Sequence, residues 1–386
     1  MTAGALGEER PTLFLRKATG LVRGWSVRDS LIYACLATNF VTLGIYEFTF
    51  AGPAFPKGQL ITATIIGGIW VSFLVVAYTG LVVTIPRAGL LPRIRGKRLR
   101  DHAEETRMSE LGGRTFLVTG GNTGIGQATA AGLAGRGGRV WIAARSRAKG
   151  EAAVAAIKAE TGSDSVWFLP LELADLESVG ACASAFLALG EPLHVLVNNA
   201  GVGGARGLTR QGFELTFGIN HLGHFALTNA LLGCLTASAP ARVVTVSSDA
   251  HYSAQGIDFD ALRRRTRGLT GLHEYAISKL CNVLFTQELA RRVAGTGVTT
   301  YALHPGVVAS DIWRRVPWPV RPIVTRRMLS TTEGAQTSLY CATSPDVAQD
   351  SGLFYDKCAQ RAPSPVATPE LAAKLWKRSE TWAELL

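Results

Sequence analysis

Tyr275 and Lys279 lie four residues apart in the stretch HEYAISKLCNVLF at 273–285. On a helix this spacing places two side chains on one face. A phenol has a reference pKa of about 10, so it releases its proton near neutral pH only when a neighbouring ammonium stabilises the phenolate. The pair could therefore exchange a proton with a reacting oxygen. The apolar residues around the pair would bury a helix without any chemistry, so the stretch alone leaves both interpretations open.

A glycine-rich turn, TGGNTGIG at 119–126, follows a β-rich run and precedes a helical one. Here glycine permits a tight turn, and the amides that begin the helix can bind a pyrophosphate. One strand later the sequence reads IAARSRAKG, which offers Arg145 and no carboxylate. An arginine suits the 2′-phosphate of NADP, whereas an acid would suit the free ribose of NAD. The sequence therefore favours NADP(H), leaves NAD(H) as the alternative, and predicts that Arg147 and Lys149 are solvated.

Short β-rich runs alternate with longer helical segments from residue 114 onward. This alternation predicts an α/β fold, a Rossmann-type doubly wound parallel sheet of about seven strands covered by helices. The expected strands are 114–120, 139–145, 165–173, 194–201, 242–248, 298–306 and 352–356.

Two apolar runs precede this α/β domain. Residues 60–85 carry no charge and exceed the roughly 20 residues that cross a bilayer. Residues 31–51 form an apolar run that is almost as long, but they contain Asn39 and Glu47. This segment is therefore predicted to be either a second span or an interfacial or re-entrant segment. Basic residues flank the pair on both outer sides, and the connection between the runs has only Lys57. The positive-inside rule then predicts a transmembrane hairpin with both ends in the cytoplasm.

The expected organisation has four parts. It comprises a basic N-terminal segment at 1–29, a membrane anchor at 30–86, a basic linker at 87–113 and the catalytic domain at 114–386. The catalytic domain is expected on the cytosolic side of an endomembrane, such as the endoplasmic reticulum, or of a bacterial inner membrane.

The net charge of +11 does not indicate a nucleic-acid partner. More than half of it flanks the apolar runs, where anionic lipid headgroups are the better explanation, so the lipid bilayer is an expected partner. The basic run at 263–267 has no interleaved aromatic residues on which bases could stack. The six cysteines are scattered and predict free thiols. His221 and His224 lack a third ligand nearby, so no metal site is expected.

Six motifs, in their order and spacing, resemble the short-chain dehydrogenase/reductase family over about residues 112–380, and in particular its membrane-anchored, retinol-dehydrogenase-like members. The motifs are TGGNTGIG at 119–126, NNAG at 198–201, INHLGHF at 219–225, VSSDAH at 246–251, YAISK at 275–279 and HPGVV at 304–308.

The resemblance implies a role for each catalytic residue. Tyr275 is the general acid or base, Lys279 the cation beside it, Ser248 the hydroxyl that holds the substrate oxygen, and Asn220 the residue that positions a water relay to the lysine. Ser247 is the neighbouring alternative to Ser248. The residues implied in cofactor binding are Gly120, Asn122, Thr123, Gly124, Ile125, Gly126, Arg145, Glu172, Leu173, Asn199, Ala200, Gly201, Tyr275, Lys279, Pro305, Gly306 and Val308.

The implied activity is interconversion of a lipophilic aldehyde or ketone with its alcohol, in the retinoid, steroid, polyprenal or fatty aldehyde class. A homodimer is compatible with this interpretation. The segment WRRVPWPVRPIVTRRML at 313–329 would be a substrate lid that rests on the bilayer or a solvated basic loop, and His251 would line the pocket or lie on the surface. The alternative function is a membrane-tethered regulatory or scaffold protein, but the chain keeps all four catalytic positions.

Overall fold

The computed structural model describes residues 110–268, 270–307 and 329–383. An eight-stranded sheet in the order β3-β2-β1-β4-β5-β6-β7-β8 forms the centre of this part of the chain. Its strands are β1 (Thr115–Thr119), β2 (Arg139–Ala144), β3 (Val166–Pro170), β4 (Val195–Asn198), β5 (Ala241–Val246), β6 (Val298–His304), β7 (Leu353–Asp356) and β8 (Ala359–Arg361). All neighbours pair in parallel except β7 and β8. The Rossmann-type prediction is confirmed.

The seven predicted strands are all present, but the expected number of strands was one too low. β8 is three residues long, fully exposed, and antiparallel to β7. Lys357 and Cys358 join the two strands with φ angles of 51° and 60°. The two central residues of a tight hairpin with positive φ angles are usually Asn-Gly or Asp-Gly. Because neither that dipeptide nor an apolar alternation is present, the sequence carries no signal for β8.

Helices cover both faces of the sheet. One face carries α1 (Gly124–Ala134), α2 (Arg147–Thr161) and α7 (Thr331–Thr343). The other carries α3 (Leu176–Leu187), α4 (Leu215–Phe217), α5 (Gly223–Ala237), α6 (Leu272–Arg292) and α8 (Pro369–Ala383). Burial from both sides explains why β1 and β5 are buried at every position.

The C-terminal helix α8 packs across α6 through large aromatic rings. Trp376 is buried and stacks on Phe285 of α6, with ring centroids 5.8 Å apart and an angle of 7° between the planes. Stacked aromatic pairs contribute about 1 kcal/mol beyond the area that they bury. This contact secures the outer side of the helix that carries Tyr275 and Lys279.

The predicted N-terminal segment, the predicted membrane anchor, and most of the predicted linker and lid segments lie outside the described residues. Within the described ranges, which begin at residue 110, no helix is both long and apolar enough to cross a bilayer.

Candidate active site

A cavity of about 850 Å³ opens where the strand order reverses, at the carboxyl ends of β1 and β4. In open parallel sheets the crevice at such a switch point is where dinucleotides bind. The volume lies in the range of sites that enclose small molecules, about 300–1,000 Å³. Four of its walls come from the glycine turn, the end of β2, the loop after β4 and helix α6.

The backbone of the glycine turn packs so closely against its neighbours that no side chain fits there. Such close packing is what a turn that brings its backbone against a dinucleotide requires. Gly120 has a φ of +65°, and a Cβ there would lie 2.9 Å from the Cα of Ala200. A Cβ at Gly126 would lie 2.4 Å from Nδ2 of Asn199 and from the carbonyl oxygen of Gly120. This turn leads directly into the first turn of α1, whose backbone amides are suited to binding a pyrophosphate.

Most of the predicted cofactor residues line this cavity. They are Gly120, Asn122, Thr123, Gly124, Ile125, Gly126, Arg145, Glu172, Leu173, Asn199, Ala200, Gly201, Tyr275, Lys279 and Pro305. Gly306 is not among the lining residues, and Val308 lies outside the described residues.

The sequence interpretation missed part of the cavity wall. Lys149 was expected to be a solvated helix-start residue; its side chain is exposed but lines the cavity, as does Ser146. The hydroxyl of Ser146 caps α2 by accepting the N–H of Lys149. Because this cap starts α2 beside the end of β2, the first turn of the helix faces the cavity. The serine before the helical run was the signal that could have located this turn.

Arg145 and Glu172 meet at the rim of the cavity. Nε of Arg145 lies 3.6 Å from Oε2 of Glu172, and the arginine side chain is 78% exposed. The other carboxylate oxygen of Glu172 accepts the N–H of Ala174. An ion pair this exposed contributes at most about 1 kcal/mol, so a bound phosphate can compete for the guanidinium.

Tyr275 meets Ser248 inside the fold, although the two lie 27 residues apart in the chain. Burial raises the pKa of Tyr275, and its interaction with the side chain of Ser248 partly offsets that rise. The phenol therefore stays protonated near neutral pH, which is the form that can donate a proton to a carbonyl oxygen.

Lys279 is the only charged side chain buried beside this phenol among the residues that line the cavity. Its Nζ lies 5.6 Å from the centre of the Tyr275 ring and donates to the carbonyl oxygen of Val246 at 2.9 Å. Only 3% of the residue is exposed. Burial lowers its pKa from 10.5 to about 8, so the group is mostly an ammonium at pH 7.

Asn220 lies in a π-helical turn, Gly218–Leu222, that interrupts the helix between α4 and α5. Its side chain is fully buried and bonds both backbone groups of Val202, with the N–H of Val202 donating at 2.8 Å and the carbonyl accepting at 3.0 Å. Its Nδ2 also lies 3.0 Å from the hydroxyl of Ser278. A π-turn of this kind is often found at functional sites. Asn220 thus anchors the loop after β4, although it does not line the cavity itself.

The geometry separates the two neighbouring serines. Ser247 is buried, and its hydroxyl donates to the carbonyl of Lys279 at 2.7 Å, so its proton is engaged. Ser248 instead contacts the phenol of Tyr275. His251 is fully buried rather than at the surface, with Nδ1 2.7 Å from the carbonyl oxygen of Ser248 and Nε2 accepting the N–H of Ser364. It therefore holds the backbone of Ser248.

Comparison with known proteins places this site in a recognised context. The profile described as "short chain dehydrogenase" matches residues 114–259. Human "Retinol dehydrogenase 12" is 46% identical over 278 residues, which span 70% of this chain and 86% of that protein.

Solved structures resemble the same part of the chain. A crystal structure of a putative uncharacterized protein from Mycobacterium paratuberculosis is 35% identical, with a TM-score of 0.58, and covers 71% of this chain and 95% of its own. A putative NAD(P)-dependent gluconate 5-dehydrogenase from Beutenbergia cavernae, with bound NADP, is 28% identical, with a TM-score of 0.53, and covers 65% of this chain and 97% of its own.

Proposed function

The chain belongs to the short-chain dehydrogenase/reductase family, in its retinol-dehydrogenase-like branch, and we propose that it is a membrane-anchored, NADP(H)-dependent oxidoreductase that interconverts a retinoid-type aldehyde and its alcohol. The observation that carries the proposal is the phenol of Tyr275 with the buried ammonium of Lys279 beside it, both lining the cavity at the switch point, and with the side chain of Ser248 acting on the phenol. Such a constellation is suited to proton transfer at a carbonyl oxygen.

In the direction of reduction, the substrate oxygen takes hydrogen bonds from the hydroxyls of Ser248 and Tyr275. NADPH, when bound, supplies the hydride that adds to the carbonyl carbon. As the oxygen becomes an alkoxide, Tyr275 gives it the phenol proton and becomes a phenolate. The ammonium of Lys279 stabilises that phenolate, because an opposite charge in a buried site favours the ionised form. Oxidation of the alcohol uses the same groups in reverse.

Charge at the adenosine end of the cavity supports NADP(H) over NAD(H). Arg145 and Lys149 both line this end, and the ion pair of Arg145 with Glu172 is exposed. A 2′-phosphate would bind a guanidinium more strongly than a 2′-hydroxyl does, because the bond is charge-assisted. The bound NADP in the Beutenbergia cavernae structure is consistent with this preference.

The substrate class follows from the relatives and from the predicted anchor. Human "Retinol dehydrogenase 12", a relative of this chain, is named for retinol, which is a lipophilic alcohol. An anchor at 30–86, with the catalytic domain on the cytosolic side, would give the site access to molecules dissolved in the bilayer. We therefore include retinoids, and other long-chain lipophilic carbonyl compounds, among the substrates.

The test uses the full chain in detergent micelles, with NADPH or NADH as the reductant. All-trans-retinaldehyde, a steroid ketone, a fatty aldehyde and a small water-soluble aldehyde serve as substrates, and the alcohol product is identified by chromatography. We expect retinaldehyde to be reduced with NADPH at a higher kcat/KM than the small aldehyde, and NADH to be the poorer reductant.

Three results would each overturn one part of the proposal. Equal use of NADH and NADPH would contradict the role given to Arg145. Preference for the small aldehyde would contradict the lipophilic substrate. Release of the full chain from cell membranes by alkaline carbonate would contradict the anchor.

A further inference from the structure

His224 lies in the first turn of α5, buried with 1% exposure, and does not line the cavity. Its ring contacts two separate parts of the site: Nε2 lies 2.8 Å from Oγ1 of Thr119, and Nδ1 lies 3.0 Å from the backbone oxygen of Asn220. Thr119 also contacts the carbonyl of Val197, but at a longer 3.3 Å. One imidazole therefore joins the strand end before the glycine turn to the π-helical turn that carries Asn220.

The partners of this imidazole allow one arrangement of protons. The carbonyl oxygen of Asn220 can only accept, so Nδ1 of His224 carries the proton and Nε2 accepts. The hydroxyl oxygen of Thr119 already accepts the N–H groups of Asn199 and Ala200, at 2.9 and 3.0 Å, so its own proton is available to Nε2. A second proton, on Nε2, would point at Oγ1 of Thr119, whose lone pairs already accept these two N–H groups. His224 is therefore held neutral, with a fixed orientation.

The hydrogen bonds continue from Asn220 towards the reacting phenol. Nδ2 of Asn220 donates to Oγ of Ser278 at 3.0 Å, and that hydroxyl donates to the carbonyl oxygen of Tyr275 at 2.7 Å. Ser278 is fully buried. These hydrogen bonds link Thr119, through His224, to the backbone of Asn220, and the side chain of Asn220, through Ser278, to the backbone of Tyr275. Buried networks of this kind are rigid, because an unpaired member in a low-dielectric interior is costly.

We propose that His224 is a positioning residue that fixes the glycine turn and the Asn220 turn relative to each other, and thereby sets both the affinity for the dinucleotide and the alignment of Tyr275. The inference rests on the proposed function, since it assigns His224 to the dinucleotide-dependent reaction of that same site.

His221 provides a matched control within the same stretch. It is equally buried, with 1% exposure, but its Nε2 bonds the hydroxyl of Ser379 in α8 at 3.0 Å, and its ring packs against Phe217 and Phe285. Replacing either histidine by phenylalanine removes a buried imidazole and a hydrogen bond to a hydroxyl. Only His224→Phe breaks the link between Thr119 and Asn220.

The experiment compares full-length His224→Phe, His221→Phe and His224→Gln in detergent micelles. The measurements are NADPH affinity by fluorescence, kcat and KM for retinaldehyde, and the thermal midpoint. We expect His224→Phe to weaken NADPH binding about tenfold relative to His221→Phe, the effect of one lost buried hydrogen bond. Its kcat should fall by at least about tenfold because the reacting groups are misaligned, with little change in KM for the aldehyde.

Glutamine keeps one donor and one acceptor. His224→Gln should therefore recover most of the lost NADPH affinity and most of the lost kcat, whatever its thermal midpoint. Adding His224→Phe to Thr119→Val should cost little beyond Thr119→Val alone, because the two changes break the same link. The positioning role would be wrong if His224→Phe matched His221→Phe in NADPH affinity and kcat, or if glutamine recovered nothing. A wild-type chain that bound NADPH but reduced no carbonyl compound would instead contradict the proposed function, and NADPH affinity would still decide the role of His224.

Discussion

Replacing Lys279 with methionine should stabilise the folded chain while it abolishes activity. Burial is the cause of the fall in the pKa of Lys279 from 10.5 to about 8. A tenfold change in an equilibrium constant corresponds to about 1.4 kcal/mol, so holding the ammonium in this site costs about 3 kcal/mol. Methionine has a similar length and no charge, and it fills irregular apolar space well.

The lost hydrogen bond reduces this gain without reversing it. The carbonyl of Val246 accepts Nζ of Lys279 at 2.9 Å and also Nδ2 of Asn282 at 3.1 Å. After the substitution that oxygen keeps one donor, so the loss is about 1 kcal/mol. The expected net gain in the free energy of unfolding is about 2 kcal/mol, which corresponds to a rise of about 5 °C in the thermal midpoint.

The pH dependence has a definite sign. A lysine with a lowered pKa in the folded state binds fewer protons there than in the unfolded state between pH 8 and 10.5, so wild-type stability gains from rising pH. The gain in the free energy of unfolding from Lys279→Met should therefore be fully present below pH 8 and disappear as the pH approaches 10.5. Subtracting the two unfolding curves cancels the other titrating groups.

The assay is urea or thermal unfolding of full-length wild type and variant at pH 7 and at several higher pH values, with retinaldehyde reduction measured in parallel. Lys377→Met, on the exposed side of α8, is the control and should change the free energy of unfolding by less than about 0.5 kcal/mol. Destabilisation by Lys279→Met at pH 7, or an advantage that did not shrink with pH, would refute the reasoning.

Three further outcomes follow from the geometry. Arg145→Ala should weaken NADPH binding by about tenfold and leave NADH binding nearly unchanged, measured by fluorescence titration; an equal loss for both would contradict 2′-phosphate recognition. Gly126→Ala, whose Cβ would lie 2.4 Å from Nδ2 of Asn199, should abolish dinucleotide binding with both cofactors, and retained affinity would show that the turn can move. Trp376→Ala should destabilise the chain by about 3–5 kcal/mol, because it removes a buried ring stacked on Phe285; thermal unfolding measures this, and a loss below 1 kcal/mol would mean that α8 is not part of the cooperative core.

Much of the fold could be predicted because its signals are local. The glycine turn between β1 and α1 follows from backbone requirements at Gly120 and Gly126, which act over a few residues. The parallel strands could be predicted from continuous apolar runs, because a strand that is covered by helices on both faces is buried on both faces. β8 has no such signal, since it is exposed and begins after a turn formed by Lys357 and Cys358.

The site could be predicted only in part, because its contacts depend on packing between distant segments. The resemblance to the family supplied Tyr275 and Ser248, and the structure brings their hydroxyls together. Nothing in the spacing of His221 and His224 indicates that one packs against α8 while the other joins Thr119 to Asn220. His221 lies in the π-helical turn and His224 in the first turn of α5, so the three-residue spacing does not describe one regular helix.

The most direct test of the account is the rate of hydride transfer in a single turnover, followed as the loss of NADPH absorbance after full-length enzyme with bound NADPH is mixed with retinaldehyde. Tyr275→Phe should bind NADPH as the wild type does but transfer hydride at least about 100-fold more slowly, because it lacks the proton that must reach the carbonyl oxygen. Tyr340→Phe, on α7 at the opposite face of the sheet, should react at the wild-type rate. A Tyr275→Phe enzyme that reduced retinaldehyde at the wild-type rate would contradict the assignment of Tyr275 as the acid and with it the proposed chemistry of the site.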